Sequence, residues 1–221
     1  MLEKQALHPD APPPNVPDAT AVPVQIAREQ LQEVLQHLPR GSAPGPSGWT
    51  CEHIKAVAQG TPQGIPAMLD FVNAALAGHL PECEALRACP LVPLRKQPDG
   101  VRPIAIGEVW LRLVGKCAMA VGADMGKAMA PLQMGVGVSG GAQCVGHAVK
   151  AGIAAHPDHV TLQIDCKNAF NNLCRTSVLR AIATAATPLL PLATWMYSEA
   201  GPLLVLGASR TAISLWSKQV R

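Results

Sequence analysis

Aromatic side chains are scarce in this chain. They make up 3% of its 221 residues, and alanine and leucine dominate instead. Alanine favours helix, so the composition predicts an α+β chain that is rich in helix and modest in sheet. Cysteine pairs at metal-site spacing are missing too. The seven cysteines are scattered, none stands in a C-x-x-C pair, and Cys83 and Cys89 have no matching His or Cys pair. A disulfide framework is not expected, and a reducing intracellular setting, nuclear or cytoplasmic, fits better. The N-terminus, MLEKQALHPDAPPP, has no apolar signal core. Residues 181–198 carry no charge, but they hold Pro188, Pro191 and three threonines. That stretch predicts two short segments rather than a membrane span. No 20-to-50-residue period suggests a solenoid. No two acidic residues are adjacent anywhere.

What is present is 48% apolar residues, enough to build one core or two small lobes. Net charge is +3, and its distribution is uneven. Residues 1–50 carry three basic and five acidic side chains. Residues 84–116 carry six basic (Arg87, Arg95, Lys96, Arg102, Arg112, Lys116) and three acidic, and residues 165–221 carry six basic and two acidic. Two basic regions behind a slightly acidic start suit a polyanionic partner, although ordinary solvated charge would look the same.

Residues 1–23, rich in Pro, Ala and Asp, predict a flexible lead-in. Ile26, Leu31, Val34, Leu35 and Leu38 recur at helical spacing, and Pro39 stops that helix. RGSAPGPSGW follows as a loop, and Thr50 can cap a short helix, TCEHIKAVA. Residues 65–79 predict another helix, ending near Gly78 and Pro81. Then the period changes. Leu91–Leu94 and Val101–Ile106 are short apolar runs around the turn Gln97-Pro98-Asp99-Gly100, which predicts a β-hairpin over 91–106. A long helix is expected from Glu108 to about Ala130, a Gly-rich loop at 131–141, a helix at 142–155 and a turn at 156–159. Val160–Ile164 predicts a strand that delivers Asp165 to its end. A helix over about 175–186, one or two more, and a strand near 203–206 complete the reading.

The segment V-T-L-Q-I-D-C-K-N-A-F-N-N-L-C-R carries the strongest chemical signal. A carboxylate at a strand end is rigidly held and open to solvent, a good position for a metal ligand. Taken by itself, Asp165 could equally cap the next turn, with Phe170 in a core. The pattern D-C-K-N-A-F-N resembles the first palm motif of reverse transcriptases from non-LTR retrotransposons. Three more segments resemble that family in the same order: Arg40–Trp49, with Ser47 in place of the usual Asp; the hairpin Leu91–Gly107 with its R-P-I; and P-L-Q-M-G-V-G-V-S-G-G-A-Q, with Gln143 in place of Glu.

The resemblance implies helical fingers over 24–159 and an incomplete palm over 160–221. It implies that Asp165 ligates magnesium with help from the Cys166 carbonyl, and that Phe170 gates against a ribose 2′-OH. Arg102, with Arg95 or Lys96, would meet the incoming triphosphate or the template. RNA template, DNA primer and dNTPs would be the partners, with no membrane. The family's adjacent Asp-Asp pair is not found here, so the reading is a reverse transcriptase fragment without polymerase activity of its own. The alternative is a non-catalytic nucleic-acid-binding module. Gly135-Val-Gly-Val-Ser-Gly140 is a literal G-x-G-x-x-G, but the residues before it end a helix, which disfavours a dinucleotide fold.

Overall fold

The structure is a computed structural model that describes residues 13–18, 20–81, 83–122, 131–166, 169, 173–199, 201–206 and 212–217. Helices are the commonest element of the described chain, joined to a small mixed sheet, which is the α+β arrangement expected. The helices are α1 (Arg28–Gln36), α2 (Cys51–Gly60), α3 (Gly64–Leu76), the single turn α4 (Glu84–Arg87), α5 (Val109–Val121), α6 (Gly141–Ala155), α7 (Arg175–Ala185) and α8 (Leu190–Tyr197). A 3₁₀ turn at Thr187–Leu189 joins the last two. The strands are β1 (Cys89–Arg95), β2 (Val101–Ala105), β3 (Gly201–Leu206) and β4 (Ala212–Ser217), in the order β2-β1-β3-β4. β1 pairs antiparallel with β2 and parallel with β3, and β3 pairs antiparallel with β4.

The main core follows from helical spacing. Leu31 and Leu35 lie four apart on α1, so they share one face and both are buried. They meet Val72, Ala75 and Leu76 of α3 and Leu113, Val114 and Cys117 of α5 in one cluster, to which α8 adds Leu192 and Trp195. The indole Nε1 of Trp195 donates to Leu80 O at 3.1 Å, so its polar edge is satisfied inside the protein. Trp49, Trp110 and Phe71 pack on the same core, with ring centroids 5.4 and 5.5 Å apart in successive pairs.

The helix ends are tied by side chains. On α1, Gln30 reaches back to accept from the Ala27 N–H at 2.8 Å, and acidic Glu29 sits in the first turn, where the helix dipole favours it. At the other end Lys55 donates to the carbonyls of Gln36 (3.2 Å) and Leu38 (3.0 Å). Thr50 stands at the N-cap of α2 in extended backbone, and its N–H donates to His53 Nδ1 at 3.1 Å. Past α3, Gly78 adopts φ +71°, and a Cβ there would lie 2.8 Å from Pro191 O, so α8 can approach the turn closely.

The proline-rich lead-in has no regular secondary structure at its described residues 13–18 and 20–27, but it is anchored. Asn15 N donates to Thr176 Oγ1, Val24 N to Pro188 O, and Ile26 exchanges two hydrogen bonds with the side chain of Asn73. Ala21 packs on a second, smaller core built from Leu179, Leu190 and Ala193. α7 is held there by Arg175, which is buried and donates to Tyr197 O at 2.9 Å.

Several sequence expectations hold: the hairpin, the helices near 28–36, 51–60, 64–76, 141–155 and 175–185, and a strand at 203–206, which starts two residues earlier. The long helix begins at Val109 as expected and is helical to Val121, while residues 123–130 lie outside the described residues. One expectation is corrected. Val160–Ile164 is not a strand. It runs as irregular chain, with Val160 94%, Leu162 80% and Ile164 77% exposed. Its period-two apolar pattern is real, but a strand needs a neighbour to close its hydrogen-bond ladder, and no described strand pairs with it.

Candidate nucleic-acid interface

The hairpin β1–β2 stands out from the helical body. From Val92 to Arg102 every residue is exposed. The register pairs Leu94 with Arg102 and Arg95 with Val101. Residues directly opposite in an antiparallel pair share a face, and neighbours along a strand alternate. Arg102 therefore lies on the Leu94 face and Arg95 on the other. Lys96, whose N–H donates to Gly100 O at 3.0 Å, continues the ladder one step and returns to the Arg102 side. Of the two candidates for a partner to Arg102, the register favours Lys96. Gly100 closes the turn with φ +115°, a conformation that a side chain would resist.

Two cations of the basic cluster around the hairpin are anchored to backbone carbonyls. Arg87 donates to Trp195 O at 3.3 Å and lies over the Trp195 ring, 5.3 Å from its centroid. Arg112 donates to Ala43 O at 2.8 Å. Both serve packing. Arg95, Lys96, Arg102 and Lys116 are exposed.

The loop Arg40–Trp49 is clamped to the start of α5. Glu108 is buried, and its carboxylate accepts from Ser47 N (3.1 Å), Ser47 Oγ (2.8 Å) and Val109 N (2.8 Å). The backbones touch here. A Cβ on Gly45 would lie 2.6 Å from Glu108 Cα. This gives Ser47 a physical role where the resembling loops carry Asp: its hydroxyl donates to Glu108, and a carboxylate at 47 would have no proton to give. Glu108 is the residue that sequence reasoning passed over. An acid opening a long apolar helix is a readable cap signal, but its partner 61 positions earlier leaves no trace in local pattern.

The Gly-rich loop 131–140 folds on itself: the Gln133 side chain bonds both the N–H and the carbonyl of Val136. Gly140 takes φ +67° before α6, and a Cβ on Gly141 would overlap Met134 O, at 1.8 Å. Among the described residues no strand directly precedes this G-x-G-x-x-G, so the dinucleotide geometry is not built.

Asp165 and Cys166 are exposed in the irregular segment after Ile164. Phe170, like Asn168 and Asn171, lies outside the described residues. Among the described residues no group of three or more His, Cys, Asp or Glu side chains could hold a metal ion. Asp165 offers one carboxylate. Magnesium gives up its water reluctantly, so that donor set does not make a magnesium site by itself. No helix among the described residues is long and apolar enough to cross a membrane.

Against known proteins, an alignment of 179 residues is 29% identical to the "Retrotransposable element SLACS 132 kDa protein" of Trypanosoma brucei gambiense. Over that stretch the chain is similar to a retroelement protein. The alignment takes in 77% of this chain and 14% of that protein, so the chain spans a small part of its relative's length. No protein-family model matches the chain.

Proposed function

We propose that this chain is the fingers and early palm of a reverse transcriptase of non-LTR retrotransposon type, which grips primer–template through its basic hairpin. The observation that carries the reading is the hairpin itself. An exposed β-ribbon presents Lys96 and Arg102 on one face and Arg95 on the other, and its second strand carries the R-P-I segment and leads on to Glu108, which clamps the Arg40–Trp49 loop. The relation to a retroelement protein over most of the chain supports it. Cationic side chains on a ribbon meet phosphates through charge-assisted hydrogen bonds. In this reading residues 24–159 are fingers-like and 160–221 palm-like, and β1 joins the two by pairing with β3. Asp165 is the one acid at the motif position for a magnesium ligand, Cys166 adds its carbonyl, and Phe170 is the gate against a 2′-OH.

Two-metal phosphoryl transfer needs several carboxylates around the ions. These 221 residues hold Asp165 at the motif position and no adjacent acid pair. The test is twofold. Residues 1–221 should bind a primed RNA template with an affinity that falls steeply as salt rises, and should incorporate no dNTP with Mg²⁺ or Mn²⁺. Salt-independent binding would remove the polymerase lineage. Measured dNTP incorporation would show that the active site lies elsewhere in the chain.

A further inference from the structure

A groove runs between α1 and α5 on the side of α5 away from its buried stripe. α5 lines it with Arg112, Gly115, Lys116, Met119 and Ala120, and α1 with Glu33, Val34 and His37. We propose that this groove holds a single strand of nucleic acid as a second contact, separate from the hairpin. The proposal rests on the nucleic-acid reading above and adds a site to it.

Three observations carry it. The first is charge. Arg112 and Lys116 lie one turn apart on one wall, against the single carboxylate of Glu33 on the other. The second is rigidity. The hydrogen bond from Arg112 to Ala43 O and that between His37 Nδ1 and Glu33 O, each 2.8 Å, hold both side chains before any ligand arrives. A pre-placed cation loses less freedom on meeting a phosphate. The third is the floor. Val34 is half-buried, Met119 is 56% exposed, and a Cβ on Gly115 would meet nothing within 4 Å. The groove therefore has an open, apolar bed beside its cations. A single strand has phosphates for the cations and unstacked base faces for the bed, whereas a duplex keeps its base faces stacked inside.

Two variants separate charge from space. Lys116→Glu reverses an exposed charge. Gly115→Leu fills the groove at a position with room for a side chain, and it raises helix propensity, so the fold is kept. The probe is a fluorescent oligouridylate of about 12 nucleotides, a length in the range of known single-strand sites. Thermal unfolding serves as the check that each variant folds. Both variants should weaken binding. Lys116→Glu should also make the slope of log K against log salt shallower by about 0.7, the loss of one phosphate contact on a single strand. The hairpin pair Lys96→Glu/Arg102→Glu is measured alongside. If Gly115→Leu and Lys116→Glu bind as wild type while the hairpin pair loses affinity, the groove proposal falls and the hairpin reading stands. If the two groove variants lose binding only to an oligoglutamate peptide, the groove serves acidic peptide and the proposal is overturned. If the wild-type chain binds a primed RNA template but not the oligonucleotide, the groove proposal falls and the hairpin reading stands; if it binds neither, both fall.

Discussion

Helices α5 and α6 are built from similar letters and meet different surroundings. α5, VWLRLVGKCAMAV, buries Val109, Leu113, Val114, Cys117 and Ala118. α6, GAQCVGHAVKAGIAA, buries only Gly141 and leaves Val145, Val149 and Ile153 47%, 41% and 54% exposed. Both carry apolar residues at helical spacing, and both are helices. Spacing decides the element, but a neighbouring surface decides whether the apolar stripe contributes to stability. α5 has that surface in Leu31 and Leu35 of α1 and Val72 and Leu76 of α3. α6 and the irregular Val160–Ile164 segment have no such cover among the described residues.

The largest effect should come from breaking this contrast at its strong end. Leu113→Ala removes a side chain that is 1% exposed and should lower unfolding free energy by about 2–5 kcal/mol in chemical denaturation. Val149→Ala on α6 should change it by less than about 0.5 kcal/mol. Equal losses would mean that α6 is packed as tightly as α5.

Next in size is the clamp that fastens the Arg40–Trp49 loop to α5. Glu108→Gln weakens three hydrogen bonds to a buried carboxylate and should cost about 1–3 kcal/mol. Ser47→Asp should be no milder, since it removes the hydroxyl donor and sets a second carboxyl against the first. A Ser47→Asp protein as stable as wild type would remove the explanation given for serine at this position.

How much of this could be read in the sequence varies with range. The hairpin was legible because Pro, Asp and Gly punctuate two short apolar runs within sixteen residues. The face of Arg102 was not, because it depends on register, which follows from how Leu94 pairs and not from composition. α1 and α5 were legible from spacing. The Glu108–Ser47 clamp and the seat of Arg87 on Trp195, 108 positions away, were not, because long-range partners leave no local period. Val160–Ile164 was misread because alternation specifies a strand's faces but does not supply its partner.

A smaller effect distinguishes buried from open cysteines. Burial pushes the Cys117 thiol up to about 11, while hydrogen bonds from Ser177 hold Cys174 below its ordinary value. Iodoacetamide at neutral pH should label Cys174, along with exposed Cys144 and Cys166, well before Cys51 and Cys117. The raised Cys117 value also sets a pH window. Its contribution is full below the ordinary thiol pKa of about 8.5 and is lost as pH rises through the folded value of about 11, because the unfolded chain ionises first. Cys117→Ala should flatten that alkaline loss. Rapid labelling of Cys117 in the folded protein would show that the α5 core is open.

The central claim, that the hairpin grips nucleic acid through one face, is tested most directly by charge reversal on each face in turn. Binding to a primed RNA template is measured by fluorescence anisotropy across a salt series, for Arg95→Glu and for Lys96→Glu/Arg102→Glu. The register predicts the larger loss, and a salt slope shallower by about two phosphate contacts, for the Lys96/Arg102 pair, with Arg95→Glu costing at most about one. Wild-type affinity and salt slope in both variants would contradict the account.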